Sequence, residues 1–256
     1  MIAVVDYGRG NLGSVEKAFV RVGTPAVVTQ EARVVDDADA VVLPGDGAFH
    51  DAMANLKTLG LLPAVQRALD GRRPFLGICL GYQLLFSTSE EFGEGRGLDV
   101  IPGVVRRFPP GRKVPHMGWN RVWHSGALRL FEGVEDGARF YFVHSYFPAV
   151  AGPSVVAGSA STDRAVGGPA SERRGSDTSD HGVRQAWCEY GVRFAAAIEI
   201  GRVYATQFHP EKSQKSGIRL LENFASLVKE SQSRTEPRAS SSGHPRSEPA
   251  VRGPLQ

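Results

Sequence analysis

The amino-acid sequence predicts an α/β protein with a mostly parallel central sheet, helices on both faces and a few antiparallel additions. The first observation is a set of short, wholly apolar runs, such as Ala40–Leu43 and Phe75–Ile78. Runs of this kind are typical of parallel strands that are buried on both faces. The second observation is that helix-like segments separate most of these runs. Alternating strands and helices favour crossover connections and therefore a parallel sheet.

Apolar periodicity gives the bounds of the elements in chain order. The predicted strands are 1–7, 26–29, 39–43, 75–78, 104–108, 138–142, 193–199 and 202–208. The predicted helices are 14–22, 50–56, 61–69, 82–86 and 217–229. No helix is predicted between the second and third strands. Because the chemistry of open α/β sheets collects at the carboxyl ends of the strands, the loops after these strands are the candidate site.

Composition indicates one globular domain with two polar segments. The chain has 256 residues, of which 41% are hydrophobic and 22% are charged, and this is enough for one large core. We expect the domain to span residues 1–230. Within it, residues 158–184 contain almost no large apolar side chains and are expected to form a mobile insert. Residues 231–256 are similar in character and are expected to be a disordered tail.

Charge and hydropathy argue against several classes of protein. The net charge is +3, and the tail contributes +2 of it through four arginines and two glutamates. The remaining body is nearly neutral, which argues against nucleic-acid binding. No stretch approaches the ~20 apolar residues that a membrane span needs, and the first residues read as a strand rather than a basic leader. We therefore expect a cytoplasmic protein that binds neither nucleic acid nor membrane.

Cys79 lies where a buried strand meets a helix, in the pattern Gly77-x-Cys79-x-Gly81. A sharp strand-to-helix turn holds its central residue in an uncommon backbone conformation, and small neighbours make room for it. Free backbone N–H groups at the start of the helix favour a thiolate. The pattern therefore indicates an activated nucleophile. The alternative is a small buried cysteine that only fills space.

His209 and Glu211 follow the last predicted strand, with Pro210 between them. A carboxylate at this spacing can hold Nδ1–H of the imidazole and leave Nε2 as a base. If the strand end of His209 lies near that of Cys79, the three side chains form a Cys-His-Glu triad. A His-x-Glu pair by itself is more often a surface coincidence.

The glycines Gly8, Gly10 and Gly13 give a second hypothesis. They form a literal G-x-G-x-x-G after the first strand, and Glu31 follows near the position of a ribose-binding acid. This pattern is compatible with a dinucleotide-binding oxidoreductase. The motif alone is weak, and a plain glycine-rich turn between strand and helix explains it as well.

Two further residues are interpreted as structural. Cys188 alternates with its neighbours like a strand residue, and nothing around it is arranged to ionise it. His144 lies inside an aromatic run and is more typical of a hydrogen-bonded, half-buried histidine than of a base. The loop that contains Gly45 and Gly47 can present N–H groups to an anion or form an ordinary turn.

The residues around Cys79 and His209 together resemble the class I, triad-type glutamine amidotransferases. Further motifs resemble one branch of that family. The matching motifs are Gly77-Ile78-Cys79-Leu80-Gly81-Tyr82-Gln83, Gln207-Phe208-His209-Pro210-Glu211, Asp6-Tyr7-Gly8-x-Gly10-Asn11, Pro44-Gly45-x-Gly47-Ala48-Phe49, Pro115-His116-Met117-Gly118-Trp119-Asn120 and Val143-His144-Ser145-Tyr146. The resemblance covers residues 1–229 apart from 158–184. It implies a flavodoxin-like fold and no cofactor or metal.

The resemblance also implies roles for named residues. It assigns Cys79, His209 and Glu211 to the triad. Gln83, Glu91 and the backbone of Ser145 and Tyr146 hold the head group of L-glutamine by the same analogy. The residues that face a partner, a (β/α)8-barrel cyclase that receives ammonia in a heterodimer, are Asn11, Trp119, Asn120 and Lys212. A dinucleotide at the first loop is then unnecessary.

The oxyanion site is expected at the Leu80 N–H and at an N–H of the loop from Gly45 to Gly47. Asp46 lies between these glycines, and a carboxylate near a developing anion is unfavourable unless it points away. Our hypothesis is that this loop is misaligned until the partner binds. A module that binds a partner without glutamine turnover, or another class I amidotransferase, remains an alternative.

Overall fold

The computed structural model describes residues 1–124, 126, 128–150 and 182–235. The strands in this part of the chain are β1 (Ile2–Val5), β2 (Ala26–Thr29), β3 (Ala40–Leu43), β4 (Phe75–Ile78), β5 (Phe86–Ser89), β6 (Gly95–Arg96), β7 (Ile101–Arg107), β8 (His116–Val122), β9 (Ala138–His144), β10 (Tyr146–Val150), β11 (Arg184–Glu189), β12 (Arg193–Ile200) and β13 (Val203–Thr206). The helices are α1 (Leu12–Arg21), α2 (Ala32–Asp37), α3 (Phe49–Thr58), α4 (Leu62–Ala68), α5 (Leu80–Gln83) and α6 (Gln214–Thr235).

The central sheet has seven strands in the order β11-β12-β13-β4-β3-β1-β2. Every neighbouring pair from β2 to β13 is parallel. The two outer strands, β12 and β11, are antiparallel additions. The predicted fold class is therefore confirmed. The parallel strands end at one edge of the sheet, and β4 and β13 are neighbours there although they lie far apart in sequence.

Both faces of this sheet are buried. In β1, Ile2 and Val4 pack on one side with α1 and α6, whereas Ala3 and Val5 pack on the other side with α3 and α4. All four of these side chains are fully buried. This two-sided burial explains why the strands are apolar at every position rather than at alternate ones.

Two smaller sheets stand beside the central one. One has the order β10-β7-β5-β6, and the other pairs β8 with β9 in antiparallel fashion. Strand β9 ends at His144, and only Ser145 separates it from the start of β10. The end of β9 and the start of β10 are thereby brought towards the carboxyl edge of the central sheet, next to Cys79, whose sulfur lies 3.9 Å from the Val143 carbonyl oxygen.

The structure differs from the prediction in several elements. Helix α2 lies between β2 and β3, where no helix was predicted; it is short, and only Val35 is buried, so its periodic signal is weak. The helix predicted at 82–86 is instead the four-residue α5, and Phe86 opens strand β5. Arg184, assigned to the insert, begins β11, and α6 continues to Thr235, beyond the predicted start of the tail. The other insert and tail residues, 158–181 and 236–256, lie outside the described residues.

No helix in the described part of the chain combines the length and the apolar character that crossing a bilayer requires.

The glycines that flank Cys79 allow the strand-to-helix turn to pack against its neighbours. A Cβ on Gly81 would overlap the carbonyl oxygen of Leu43, which belongs to the adjacent strand β3. A Cβ on Gly77 would come within 2.9 Å of the Gly81 carbonyl oxygen. Both contacts involve backbone atoms, which cannot move aside as a side chain can. The pattern Gly-x-Cys-x-Gly is therefore a packing requirement of this turn.

We predict that Gly81→Ala lowers the free energy of unfolding by about 2 kcal/mol or more, because the new methyl group displaces the backbone of β3. The matched control is Gly13→Ala in α1, where a Cβ meets nothing within 4 Å. This control should be neutral or stabilising by roughly 0.5 kcal/mol, since alanine favours a helix. Urea unfolding of both variants measures the difference, and equal stabilities would contradict this account of the turn.

Candidate active site

Cys79 lies at the turn between β4 and α5 with φ 55° and ψ −105°. Positive φ is uncommon for a residue with a side chain, and such strain is retained where the surrounding structure enforces it. Here the Cys79 N–H donates to the carbonyl oxygen of Thr206 at 2.7 Å, which extends the pairing of β4 with β13. The turn therefore presents the thiol at the carboxyl edge of the sheet, as the sequence predicts.

His209 and Glu211 lie just beyond the end of β13. Nδ1 of His209 and Oε1 of Glu211 are 2.8 Å apart, and the Glu211 side chain is 1% exposed. The backbone of His209 is fixed on both sides, because its N–H donates to the Tyr141 carbonyl and its carbonyl accepts from the Ser213 hydroxyl at 2.6 Å. The bond between Nδ1 and Glu211 thus fixes the orientation of the imidazole ring. Within the described residues, Nε2 has no hydrogen-bond partner.

The charge state of His209 follows from its surroundings. Burial disfavours the charged ring, but the negative charges of a Cys79 thiolate and of Glu211 outweigh burial and raise the pKa of His209. A raised pKa keeps the ring protonated as the pH rises past the ordinary value for histidine. The arrangement therefore favours the protonated form of the His209 ring.

Cys79 and His209 line one cavity of about 440 Å³ at the carboxyl edge of the sheet. The other predicted site residues that line it are Gly47, Leu80, Gln83, Glu91, Ser145, Tyr146, Asn11 and Lys212. Asp46, Pro115, Val143 and His144 complete the wall. The structure therefore brings most of the predicted residues together around a space large enough for an amino acid.

The residues expected to hold a substrate are themselves held in place. Nε2 of Gln83 donates to the Tyr146 carbonyl at 2.9 Å and to Oε1 of Gln207 at 3.1 Å. Oε2 of Glu91 accepts from the Phe49 N–H at 2.7 Å, at the start of α3. A carboxylate at a helix start is favoured by the helix dipole. Glu91 thus offers the cavity a fixed negative charge, which suits an ammonium group.

The expected oxyanion site is occupied by the protein itself. The Leu80 N–H points at the carbonyl oxygen of Gly45 at 3.4 Å. Gly45 therefore presents an acceptor where a second donor is expected, and unlike Gly47 it does not line the cavity. In this conformation the loop does not form a two-donor oxyanion site.

The first glycine-rich loop closes onto the Gly45 loop. The Gly10 N–H donates to Oδ1 of Asp46 at 3.0 Å, and the Gly8 N–H donates to Oδ1 of Asp6 at 2.9 Å. A dinucleotide pyrophosphate needs these backbone donors, and carboxylates of the chain already use them. The loop therefore acts as a structural turn, which argues against the dinucleotide hypothesis. The same bond gives the Asp46 carboxylate a hydrogen-bond donor, the Gly10 N–H.

The residues expected to face a partner divide into two groups. Asn11 and Lys212 line the cavity. Trp119 lies on β8 and is 42% exposed, and Met117 on the same strand is 61% exposed. Asn120 differs, because its Nδ2 donates to the Glu189 carbonyl at 2.9 Å and lies 3.2 Å from Nε2 of His116. Its side chain is directed into the protein.

Sequence reasoning assigned no role to Gln207. This fully buried side chain accepts from Gln83, and its Nε2 lies 3.7 Å from Sγ of Cys79. It therefore contacts the thiol directly. The available signal is a glutamine that directly follows an otherwise buried strand and lies two residues before His209.

Cys188 and His144 have the structural character that was predicted. Cys188 is fully buried in β11, and burial raises the pKa of its thiol to about 12. His144 is 6% exposed, so it is more deeply buried than expected, and Nδ1 bonds to the Tyr146 carbonyl at 2.8 Å. A thiol that stays protonated is a poor nucleophile, which leaves Cys79 as the reactive cysteine.

Curated relatives match nearly the whole chain. Imidazole glycerol phosphate synthase subunit HisH of Moorella thermoacetica is 45% identical over 228 residues, covering 89% of this chain and 95% of the relative. The proteins of the same name from Geobacter sulfurreducens and Aquifex aeolicus are each 46% identical. They cover 88% and 86% of this chain and 98% and 94% of their own lengths, respectively.

Solved structures show the same fold at low sequence identity. A crystal structure described as a glutamine amidotransferase has a TM-score of 0.63 at 18% identity and covers 90% of this chain and 100% of its own. The glutaminase domain of Trypanosoma brucei CTPS has a TM-score of 0.53 at 15% identity and covers 90% of this chain and 93% of its own.

The family profile agrees with these relatives and with the resemblance seen in the motifs. The profile described as glutamine amidotransferase class-I matches residues 3–227 and so includes all three candidate triad residues. This chain belongs to the class-I glutamine amidotransferase family.

Proposed function

We propose that this protein is the glutaminase subunit of imidazole glycerol phosphate synthase. It hydrolyses L-glutamine to glutamate and passes ammonia to a cyclase subunit, which forms an imidazole ring in histidine biosynthesis. The observation that carries the proposal is that Cys79 and His209 line one cavity while Glu211 bonds to Nδ1 of the His209 ring. The curated relatives at 43–46% identity favour this role over that of another class I amidotransferase. Under this proposal the protein works in the cytoplasm.

The first chemical step is attack of the Cys79 thiolate on the side-chain amide carbon of glutamine. A tetrahedral intermediate forms, and its oxyanion requires N–H donors at Leu80 and in the Gly45 loop. His209, which carries a proton on Nε2, gives that proton to the departing ammonia. Glu91 is placed to receive the ammonium group of the substrate. The product of this step is a glutamyl thioester on Cys79.

The second step is hydrolysis of the thioester. His209 is now neutral at Nε2 and removes a proton from a water molecule that attacks the thioester carbon. Glu211 holds Nδ1–H and stabilises the imidazolium that forms. Loss of the thiolate from the second tetrahedral intermediate releases glutamate. The triad then returns to its starting charge state.

A partner subunit is required for the ammonia to be used. Ammonia that reaches bulk water is protonated and loses its nucleophilicity, so the transfer needs a dry passage. We propose that a (β/α)8-barrel cyclase binds over the cavity, whose wall includes Asn11 and Lys212, and covers the apolar surface that Met117 and Trp119 expose on β8. The relatives are named as subunits of a synthase, which supports such a complex.

We further propose that the partner realigns the Gly45 loop. The bond from the Leu80 N–H to the Gly45 carbonyl occupies the donor that the oxyanion requires. The bond from the Gly10 N–H to Asp46 holds the same loop from its other side. Glutamine hydrolysis by the isolated chain should therefore be slow.

We predict that Cys79→Ala abolishes glutamate production by the complex while the protein stays folded, because no other side chain at the cavity is placed to form the thioester. Glutamate release and circular dichroism measure the two properties. Cys188→Ala is the matched control and should retain turnover, since its thiol is buried away from the cavity. A glutamine-analogue electrophile should label Cys79 alone. Labelling of Cys188, or turnover by Cys79→Ala, would refute the assignment.

We predict that Glu211→Gln lowers glutamine turnover roughly 10²- to 10⁴-fold, because the imidazole loses the carboxylate that orients it. It should also lower the pKa of His209, since Glu211 contributes to raising that pKa. Activity that depends on protonated His209 falls as the pH rises through this pKa. The alkaline limb of the pH profile should therefore move to lower pH in the variant. An unmoved limb would show that Glu211 does not act on His209.

We predict that the cyclase with its nucleotide ligand raises glutaminase turnover by about 10²-fold or more. The magnitude reflects the recovery of one oxyanion donor. Turnover of the isolated chain, of the complex and of the complex with ligand measures the effect. The complex that contains the Cys79→Ala variant gives the background rate of glutamate release. Equal rates with and without the partner would contradict the proposed misalignment.

A further inference from the structure

Two buried histidines lie beside the cavity and take no part in the steps above. His116 is in β8 and His144 is at the end of β9, and the antiparallel register pairs them directly. Nδ1 of His116 is 3.0 Å from Nε2 of His144. Their side chains are 3% and 6% exposed. The pair extends a hydrogen-bonded chain from Asn120 on β8 to the carbonyl of Tyr146 at the cavity wall.

One placement of protons satisfies every bond in this chain. The Asn120 amide nitrogen donates to the Glu189 carbonyl, so it is a donor to His116 Nε2 as well. His116 then carries its proton on Nδ1 and donates to Nε2 of His144. His144 in turn carries its proton on Nδ1 and donates to the Tyr146 carbonyl. Both rings are therefore neutral Nδ1–H tautomers.

The surroundings of the pair maintain this neutral state. The His116 ring stacks on Phe142 and Tyr190 at centroid distances of 4.8 and 4.0 Å. The His144 ring lies 5.1 Å from that of Phe108. Burial lowers the pKa of both histidines. A second proton on either ring would also place two N–H donors opposite each other, and one hydrogen bond of the chain would be lost. Every hydrogen bond in the series therefore donates in the same direction, from Asn120 towards the Tyr146 carbonyl.

The last acceptor of the chain belongs to the proposed glutamine site. The Tyr146 carbonyl receives Nδ1–H of His144 at 2.8 Å and an amide proton of Gln83 at 2.9 Å. The Ser145 carbonyl accepts from the Phe108 N–H at 3.2 Å. These three bonds fix the peptides where β9 passes into β10. The carbonyl of Tyr146 has both lone pairs engaged and so fixes the wall of the cavity rather than contacting a substrate.

We propose that His116 and His144 are positioning residues for glutamine binding, which they affect through the Tyr146 backbone. Asn120 then fixes the outer end of this chain instead of acting mainly as a partner contact. This inference rests on the proposed glutaminase function and deepens it. It places the specificity for the glutamine head group partly in a buried polar chain that acts through the Tyr146 carbonyl.

The test is steady-state glutamine hydrolysis by the complex with the cyclase partner. His144→Phe removes the donor to Tyr146 and should raise KM for glutamine about five- to tenfold, with kcat changed by less than about twofold. His116→Phe keeps the ring stack, removes the donor to His144 and should raise KM in the same direction. His144→Asn places an amide N–H near the former Nδ1 and should restore most of the lost affinity.

The matched control is His124→Phe. His124 is also buried and packs on Phe131 at a centroid distance of 4.8 Å, but it does not line the cavity. Its loss should change thermal stability and leave KM for glutamine unchanged. If His144→Phe fails to fold, His116→Phe and His144→Asn still provide the comparison. An unchanged KM in His116→Phe, or no difference between the Asn and Phe variants at position 144, would overturn the proposal.

A second measurement separates this inference from the proposed function. Imidazole ¹⁵N chemical shifts of the wild-type protein at pH 7 should show neutral Nδ1–H tautomers for both histidines. An Nε2–H tautomer or a charged ring at either position would overturn the chain of bonds, whatever the activity. A wild-type complex that shows these tautomers but consumes no glutamine would instead refute the proposed function.

Discussion

The parallel pairing of β4 with β13 is the constraint on which the candidate site depends. Ile78 pairs with Thr206, and the next backbone bond runs from the Cys79 N–H to the Thr206 carbonyl at 2.7 Å. The chain continues from Thr206 through Gln207 to His209, so the candidate nucleophile and the candidate base leave neighbouring strands at the same edge. Strand pairing therefore brings a thiol and an imidazole that are far apart in sequence to the same cavity.

Close backbone packing at the turn makes this placement rigid. Gly81 approaches the carbonyl of Leu43, and Gly45 follows β3 by two residues. The turn that carries Cys79 and the loop proposed to supply an oxyanion donor therefore both depend on the end of one strand. A shift of β3 would change both at once. The proposed oxyanion donor in the Gly45 loop and the sulfur of Cys79 are in this way coupled through β3.

Sequence patterns predict those features of the fold and the site that depend on residues close together in the chain. Apolar runs located the strands of the central sheet, and the glycines around Cys79 with the spacing of His209 and Glu211 located the candidate triad. Helix α2 was missed because it is short and buries only Val35, so burial there gives almost no periodicity. The link between His116 and His144 was also missed. It depends on the register of β8 against β9, and a register is a long-range property that neither strand reveals alone.

The orientation of the Gly45 loop was likewise beyond the sequence, since it depends on bonds between three separate segments. Turning that loop towards the cavity breaks the bond from Leu80 to Gly45 and the bond from Gly10 to Asp46. With about 1 kcal/mol net for the bond to the Gly45 carbonyl and about 2 kcal/mol for the bond to the Asp46 carboxylate, the aligned state lies about 3 kcal/mol higher, and under about 1% of isolated molecules adopt it. A partner therefore converts most molecules only if it binds the aligned state more tightly than the resting state by more than about 10²-fold. Asp46, which is unfavourable beside an oxyanion, instead accepts the Gly10 N–H and so stabilises the loop in the observed conformation.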